Sequence, residues 1–445
     1  MSWILYFIYL LLLIWAIQKS HFFEAPGIEK KWLIAVFLTK IAGGFTLFVI
    51  YNYFYTPRSA CDIFNYFDDG LIIHNVLFQN PTDYLRMITG IGGSEPHLMQ
   101  YYDTCNFWLK GFNYGLPNDN HIIIRLNAIL CLISMGNFHI HNMIFGFLGF
   151  VGLWAIYKSF ARDLSHKRSL LLLAVFFFPS VWLWTSGATK ESFLIFAFGL
   201  FIYNYRNMLA KPHLSNIVGV VVCIWLMMMS KFYVLMAALP SLAALFWIKR
   251  RPKAALLKFV AMHVCIFCIA WLSKFITQID LFQVICNKQH DFIMMAQSMT
   301  VGSYIQLPEL TNGLRDIAAN APSSFARALL RPTIFEGGSL TMIGASIENV
   351  LIIIALLMAL VFVKPRNLAQ PEVWCCTSFI VILFVLIGLT TPVLGALVRY
   401  KVPGLPFLGI LLLLMTDDTR IQPLEKWLTD KLKGRKSATK NKNGR

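Results

Sequence analysis

The stretch ENVLIIIALLMALVFV, residues 348–363, carries no charged residue after Glu348. Similar apolar blocks recur along the chain, as in LLLLAVFFFPSVWLW (170–184) and LGILLLLM (408–415). A helix needs roughly 20 predominantly apolar residues to cross a bilayer. The 445-residue chain is 57% hydrophobic and 14% charged, whereas soluble domains carry about a quarter of charged residues. The sequence therefore predicts an all-α polytopic membrane protein.

The apolar blocks predict about eleven transmembrane helices. Lys and Arg concentrate in alternate connections between them and in a basic tail. Since positively charged loops stay on the cytoplasmic side, the N-terminus is predicted outside and the C-terminus in the cytoplasm. The predicted spans lie near 3–17, 33–53, 140–158, 169–187, 191–205, 216–230, 232–248, 255–275, 346–363, 373–391 and 402–416.

Two long segments, 54–139 and 276–345, are then extracytoplasmic loops. The first contains two stretches, 62–78 and 121–135, whose patterns favour helices lying on the membrane surface. The net charge of +17 follows the predicted topology instead of forming a nucleic-acid patch. The lipid bilayer, and no nucleic acid, is therefore the partner predicted from charge.

Carboxylates follow the second predicted span in YTPRSACDIFNYFDDG, residues 55–70. On a helix, Asp62, Tyr66 and Asp69 stand at i, i+4 and i+7 and share one face. Two carboxylates on one face at a membrane surface suit a general base, a pair of metal ligands or an electrostatic clamp. The plainer alternative is a solvated helix face with a capping residue.

Cations mark two short extracytoplasmic turns. In PSVWLWTSGATKES (179–192), Lys190 and Glu191 stand at the edge of the hydrocarbon, where charges need a partner or a function. Lys231 occupies the next such turn. Each lysine is a candidate for holding a phosphate or carboxylate, and the alternative is a lysine that reaches to the interface beside a neighbouring acid.

Two further motifs carry arginine. LVRYKVPGLPF (397–407) places Arg399 and Tyr400 before two prolines, which fix a non-helical entry into the last span. A guanidinium can bind phosphate oxygens through two hydrogen bonds, which an ammonium cannot do. RALLRPTIFEGGSL (327–340) holds Arg331 and Glu336, which could pair with a ligand or with each other.

This layout resembles the GT-C superfamily of integral membrane glycosyltransferases. In that family a span is followed by a long outer loop with a catalytic acid near its start, then six spans and a second long loop. Asp62 or Asp69 matches that acid, and Lys190 with Glu191 lies where the family keeps a second polar site. The pattern RY-x-x-P-x-x-P at 399–406 is similar to outer-edge motifs of such enzymes. The chain also resembles bacterial membrane proteins of the glycosyltransferase and polysaccharide-polymerase type.

The resemblance divides the chain into five parts. Residues 1–32 hold an extra span and a cytoplasmic connection, and 33–275 form the module with seven spans. Residues 276–345 form the second loop, 346–416 the last spans, and 417–445 the basic cytoplasmic tail. The resemblance implies residence in the bacterial cytoplasmic (inner) membrane with an extracytoplasmic active site.

The resemblance also implies a reaction. Asp62 or Asp69 would act as general base for an acceptor hydroxyl of a glycan, lipid or protein, and a polyprenyl-phosphate-linked sugar would be the donor. The acceptor would displace the lipid phosphate from the anomeric carbon. No cofactor or metal is required, although a divalent cation between the acids is compatible with this chemistry. The expected phosphate-binding cations are Lys190, Lys231, Arg331 and Arg399, with Glu191, Tyr66, Tyr400 and Glu336 as supporting residues.

Two other functions share parts of this pattern. A polysaccharide polymerase or O-antigen-ligase-like enzyme, acting on lipid-linked glycans, would need the same cations and a similar base. A lipid or solute transporter would instead need ionisable residues deep within spans and internally repeated halves. Lys40 is the clear intramembrane charge in the sequence, and we expect its long side chain to reach the interface.

Overall fold

A computed structural model describes residues 2–55, 57–109, 118–298, 302–336 and 338–432 of the chain. These residues form an α-helical protein in which β pairing is limited to isolated bridges. The helices of the first half are α1 (Ser2–Lys19), α2 (Lys30–Tyr53), α3 (Asp62–Gln79), α4 (Pro81–Thr89), α5 (Met99–Tyr102), α6 (His121–Ser134), α7 (Phe138–Phe160), α8 (Arg168–Phe176), α9 (Pro179–Trp184) and α10 (Lys190–Ala210). Those of the second half are α11 (Leu214–Ser230), α12 (Phe232–Arg250), α13 (Ala255–Ile276), α14 (Leu281–Ser298), α15 (Leu314–Leu330), α16 (Leu340–Val361), α17 (Pro371–Thr390), α18 (Leu394–Tyr400), α19 (Leu405–Met415) and α20 (Asp418–Leu432).

Seven of the described helices are long and apolar enough to cross a membrane, and an eighth span results if α18 and α19 are counted together. The seven are α2, α7, α10, α12, α13, α16 and α17. Helices α1 and α11 are apolar but shorter, so the spans predicted near 3–17 and 216–230 fall below this length. The structure thus supports an all-α membrane protein, with fewer full-length candidate spans than the eleven predicted.

Proline explains why two predicted spans are interrupted. The span predicted at 169–187 is divided into α8 and α9, because Pro179 has no N–H to continue the helix and holds Phe178 in an extended conformation. The span predicted at 402–416 corresponds to α19, and α18 precedes it and meets it at a bend of 57°. Pro403 lies within this bend. Both interruptions bring backbone turns close to charged side chains.

The two long segments contain the predicted helices. In the first segment, α3 packs against α4 and α6, and half of its residues are buried. In the second, α14 and α15 pack against α17. An antiparallel bridge between Tyr304 and Val393 joins this segment to the connection before α18.

The C-terminal region is partly helical. The part of the chain predicted as a basic tail begins with α20, which continues to Leu432 and packs against α8. Residues 433–445 lie outside the described part of the chain.

Candidate active site

An arginine joins two acids that are far apart in the sequence. Arg399, near the end of α18, donates from Nη1 to Asp62 Oδ2 over 2.7 Å and from Nη2 to Glu191 Oε2 over 2.7 Å. Nη1 also donates to the hydroxyl of Tyr51 over 3.2 Å. Asp62 begins α3 and Glu191 lies in the first turn of α10. Three of the predicted site residues are therefore in direct contact.

Lys231 extends this arrangement by one residue. Its Nζ donates to Glu191 Oε1 over 2.8 Å, so both oxygens of Glu191 are engaged by cations. We call Asp62, Arg399, Glu191 and Lys231 the ion chain. Its formal charges alternate and cancel. The Glu191 side chain is 1% exposed and that of Lys231 is 6% exposed, so their attraction is little weakened by water.

Aromatic rings surround the ion chain. The Arg399 guanidinium lies 4.9 Å from the ring centre of Trp184, and the Lys231 ammonium lies 4.1 Å from that of Tyr400. Tyr51 contacts Trp184 edge-on, with ring centres 6.3 Å apart. These rings attract the cations through their π faces and exclude water. Tyr400 was predicted from the sequence, whereas Tyr51 and Trp184 were not. Both lie near the C-terminal ends of their helices, at the end where Arg399 lies.

Three buried polar atoms at the ion chain retain unused hydrogen-bonding capacity. They are Asp62 Oδ1, Arg399 Nε and the hydroxyl oxygen of Tyr233, and none of them has a hydrogen-bond partner among the described residues. Tyr233 lies beside Tyr400, with ring centres 6.4 Å apart. Most buried polar groups in proteins are satisfied, so such a group requires an explanation. Together these atoms offer one hydrogen-bond acceptor and two donors, which can bind a hydroxyl group and an anionic oxygen.

Lys190 and its neighbour Glu191 have different partners. Lys190 Nζ lies 2.8 Å from Asp119 Oδ2 and 5.4 Å from the ring centre of Tyr66. Burial raises the pKa of Tyr66 well above its ordinary value, so its hydroxyl stays protonated. Lys190 and Tyr66 thus form a second pair next to the ion chain. Asp119, which the sequence analysis did not single out, balances the charge of Lys190.

Asp69, which was predicted as an alternative base to Asp62, is bound by backbone N–H groups. Its Oδ1 accepts from the backbone N–H of Asn106 over 2.7 Å, and its Oδ2 accepts from Phe107 over 2.8 Å. The side chain is fully buried, and this burial raises the pKa of Asp69 although both N–H groups act in the opposite direction. Seven residues advance a helix by about 10 Å, so an acid on the same face meets another neighbour. Asp69 holds the 106–107 backbone, and Asp62 is the acid that contacts the cations.

Arg331 and Glu336 pair with each other. Arg331 donates to Glu336 Oε1, over 2.6 Å from Nε, and Glu336 Oε2 also accepts from the backbone N–H of Thr333. Neither side chain joins the ion chain. Only the carbonyl of Arg331 is linked to this region, because it accepts from Nζ of Lys401 over 3.4 Å. The prediction that Arg331 binds a donor phosphate therefore lacks geometric support.

Opposite charges hold both ends of α9, which leads into the turn before Glu191. Glu348 Oε2 accepts from the backbone N–H of Ser180 over 2.5 Å. Lys40 Nζ donates to the carbonyls of Val181 and Trp182 and, over 2.5 Å, to Thr185 Oγ1. These signs match the helix dipole, which favours an anion at the N-terminus and a cation at the C-terminus. Lys40 is fully buried, so the expectation that it reaches the interface was wrong.

Two glycines fix the turn that follows α9. Gly146 and Gly149 of α7 leave no room for a Cβ, because the carbonyl groups of Ser186 and Thr185 lie directly against them. The turn therefore packs backbone to backbone against α7. Thr189 then caps α10, since its Oγ1 accepts from the N–H of Ser192. This close packing determines where the first turn of α10 places Glu191.

Within the described ranges, no three His, Cys, Asp or Glu side chains lie together as a group able to hold a metal ion. Asp62 and Glu191 are both bound to Arg399, whose guanidinium occupies the place between them. The position between two acids is thus taken by a fixed cation in this conformation.

No protein family model, curated protein or solved structure matches the chain.

Proposed function

We propose that the protein is an integral membrane glycosyltransferase that uses a polyprenyl-phosphate-linked sugar as donor. The observation that carries the proposal is the ion chain. Residues from α3, α10, α18 and the turn before α12 meet there, with one carboxylate oxygen of Asp62 unused. A base with a free oxygen next to fixed cations suits the transfer of a sugar to a hydroxyl group, with a phosphate as the leaving group.

In the proposed reaction, Asp62 Oδ1 accepts the proton of the acceptor hydroxyl. The acceptor oxygen forms a bond to the anomeric carbon while the bond from that carbon to the lipid phosphate breaks. Arg399 holds the other oxygen of Asp62 over 2.7 Å and so orients the base. The proton passes from Asp62 to water after transfer.

The leaving phosphate becomes more negative as the bond breaks, and cations stabilise it. Arg399 Nε is a free donor of the guanidinium, because it has no partner among the described residues while both Nη atoms are bound to carboxylates. Lys231 and Lys190 lie on either side of Glu191 in the same region. The donor phosphate would therefore compete with Glu191 for Arg399 and Lys231.

The proposed orientation places the ion chain on the extracytoplasmic side of a bacterial cytoplasmic membrane. We call the end of the helices at the ion chain the site end. Arg206 lies fifteen positions after Glu191 on α10, about 22 Å away along the helix axis. Lys167, Arg168 and Lys249 also lie at the end of their helices remote from the site end. Basic residues at this opposite end suit a cytoplasmic location.

Product analysis tests the function and separates its two enzymatic forms. Purified protein in vesicles is incubated with a panel of polyprenyl-phosphate and polyprenyl-diphosphate sugars and lipid-linked glycan acceptors. Addition of one sugar supports the transferase, and a ladder of products supports a polysaccharide polymerase or ligase. If no donor in the panel is consumed, the proposal loses its support.

A transporter is the second candidate, because one specific observation favours it. Lys40 and Glu348 are buried at the two ends of the short helix α9, and broken helices with buried charges are frequent in transporters. A labelled lipid-linked sugar loaded into vesicles distinguishes the two. Release of unchanged label that requires the protein would favour transport, whereas transfer to an acceptor favours the enzyme.

A further inference from the structure

Helix α20 is attached to the rest of the molecule through one face. Glu425 accepts from the backbone N–H groups of Ser169 and Leu170, each over 2.9 Å. Thr429 adds a hydroxyl contact to Ser169 over 2.9 Å. The first N–H groups of a helix have no partner within it, and an anion at this position also suits the helix dipole. Glu425 thus caps α8 and fixes the orientation of α20.

The opposite face of α20 carries an exposed stripe of cations and apolar residues. Arg420, Leu424, Trp427 and Lys431 follow one another at helical spacing. Leu424 is 47% exposed and Trp427 is 53% exposed. The ammonium of Lys431 lies 4.4 Å from the ring centre of Trp427. Tryptophan and leucine bordered by cations are typical of helices that lie in a membrane interface.

The sequence beyond α20 adds positive charge and no negative charge. Each basic residue near an anionic membrane surface contributes about 1 kcal/mol of attraction. This segment follows the stripe directly in the sequence. The basic residues are Lys433, Arg435, Lys436, Lys440, Lys442 and Arg445.

Two of the three acids of α20 are bound to other parts of the protein, and the third, Asp430, is outnumbered by the basic residues of the helix. Glu425 is bound to the N-terminus of α8, and Asp418 lies 2.8 Å from Nζ of the buried Lys167. Both carboxylates therefore face the protein, whereas Arg420 and Lys431 remain on the exposed stripe.

We infer that the stripe Arg420, Leu424, Trp427 and Lys431 is a docking surface for an anionic lipid bilayer. The headgroups engage the two cations, and the tryptophan and leucine enter the interface between them. Because Glu425 joins α20 to α8, docking also holds the N-terminus of α8 at the membrane surface. This inference does not depend on the proposed enzymatic activity.

Tryptophan quenching by brominated lipids tests the inference on the full-length protein. Vesicles contain brominated phosphatidylcholine alone or mixed with brominated phosphatidylglycerol, in both leaflets, so the direction of insertion does not matter. The contribution of Trp427 is the difference between the wild type and Trp427→Phe. We expect this contribution to be quenched more strongly in anionic vesicles, and added salt to reduce the difference.

Paired substitutions distinguish lipid docking from other occupants of the stripe. Arg420→Gln together with Lys431→Gln should at least halve the extra quenching, while the capping contact of Glu425 is kept. Quenching that is equal in neutral and anionic vesicles would overturn the assignment to anionic lipid. Absence of quenching of Trp427 in both vesicle types would overturn lipid docking altogether and indicate solvent or a protein partner.

Discussion

The two ends of the helices pair their charges in different ways. At the opposite end, Arg206 Nη2 lies 2.5 Å from Asp163 Oδ2, and Lys249 Nζ lies 2.7 Å from Glu372 Oε1. Each of these two cations is paired with one acid, and neither pair leaves a buried polar atom without a partner, whereas Nε of Arg168 at the same end has none among the described residues. At the site end, Arg399 is shared by two acids and still has a free donor.

This difference separates structural ion pairs from a site with unused capacity. The pairs at the opposite end join α10 to the turn after α7, and α12 to α17, without any further group. The ion chain also joins distant elements, but Asp62 Oδ1 and Arg399 Nε can each make one more hydrogen bond. Similar charges in similar helices therefore predict different responses to substitution.

The largest expected effect is on turnover and follows from replacing the proposed base. Asp62→Asn keeps the size of the side chain but removes the proton acceptor. General base catalysis contributes typically about 10²–10⁴-fold, so turnover of a polyprenyl-phosphate sugar should fall by that factor.

The matched control is Asp163→Asn at the opposite end, which removes an acid from an equally short ion pair. It should leave turnover close to the wild-type rate. Equal losses in the two variants would contradict the assignment of Asp62 as base.

A second effect is expected on stability. Glu191→Gln leaves Arg399 and Lys231 buried without the carboxylate that joins them, and such a loss costs about 3–5 kcal/mol. Glu372→Gln is the control, because its partner Lys249 is 46% exposed and an exposed pair contributes about 1 kcal/mol or less. Denaturation of both variants in detergent measures the two losses. Similar losses would show that burial does not distinguish the two ends.

The smallest expected effect concerns pH and the buried acid Asp69 of α3. The pKa of Asp69 is raised by burial, so the folded protein binds a proton at Asp69 more readily than the unfolded chain. Its contribution to stability is therefore present at low pH and falls as the pH rises above about 3.9 through the raised pKa.

Asp69→Asn should remove this dependence. The difference in melting temperature between wild type and variant should be largest near pH 4 and narrow toward about pH 7. Thermal unfolding in detergent across this interval measures the difference. If this difference in melting temperature instead widened with pH, the N–H groups of Asn106 and Phe107 would be lowering the pKa of Asp69 in the folded protein.

The sequence predicted the members of the ion chain but not their pairing. Asp62, Glu191, Lys231 and Arg399 were found because charges at the ends of apolar blocks need an explanation. Which acid would meet Arg399 depends on how α3, α10 and α18 pack, and no local pattern contains that information. Asp69 shows the limit most clearly, since it shares a helix face with Asp62 and yet binds a loop backbone.

Other residues of this region were not predicted, because the sequence around them is ordinary for a loop or a span end. Asp119 stands in a short polar stretch before α6, where an acid is ordinary. Glu348 and Lys401 look like charges at span ends, but each is buried and engages a backbone group or Asn349. Pro179 is a signal for the α8–α9 break, because proline kinks or breaks a helix beyond its first turn. Pro240 lies inside α12 without ending it, so the presence of proline alone does not decide the outcome.

The buried position of Lys40 has a consequence for the synthesis of the protein. Its partners Val181, Trp182 and Thr185 follow it by 141, 142 and 145 residues. At about 5–20 residues per second, the ribosome needs roughly 7 to 30 s to make them. A lysine in the middle of an inserting helix costs about 2.5–3.5 kcal/mol. During this interval the apolar residues of α2 alone offset that cost. A chain whose synthesis stops before α9 would therefore hold α2 in the bilayer less securely than the complete chain does.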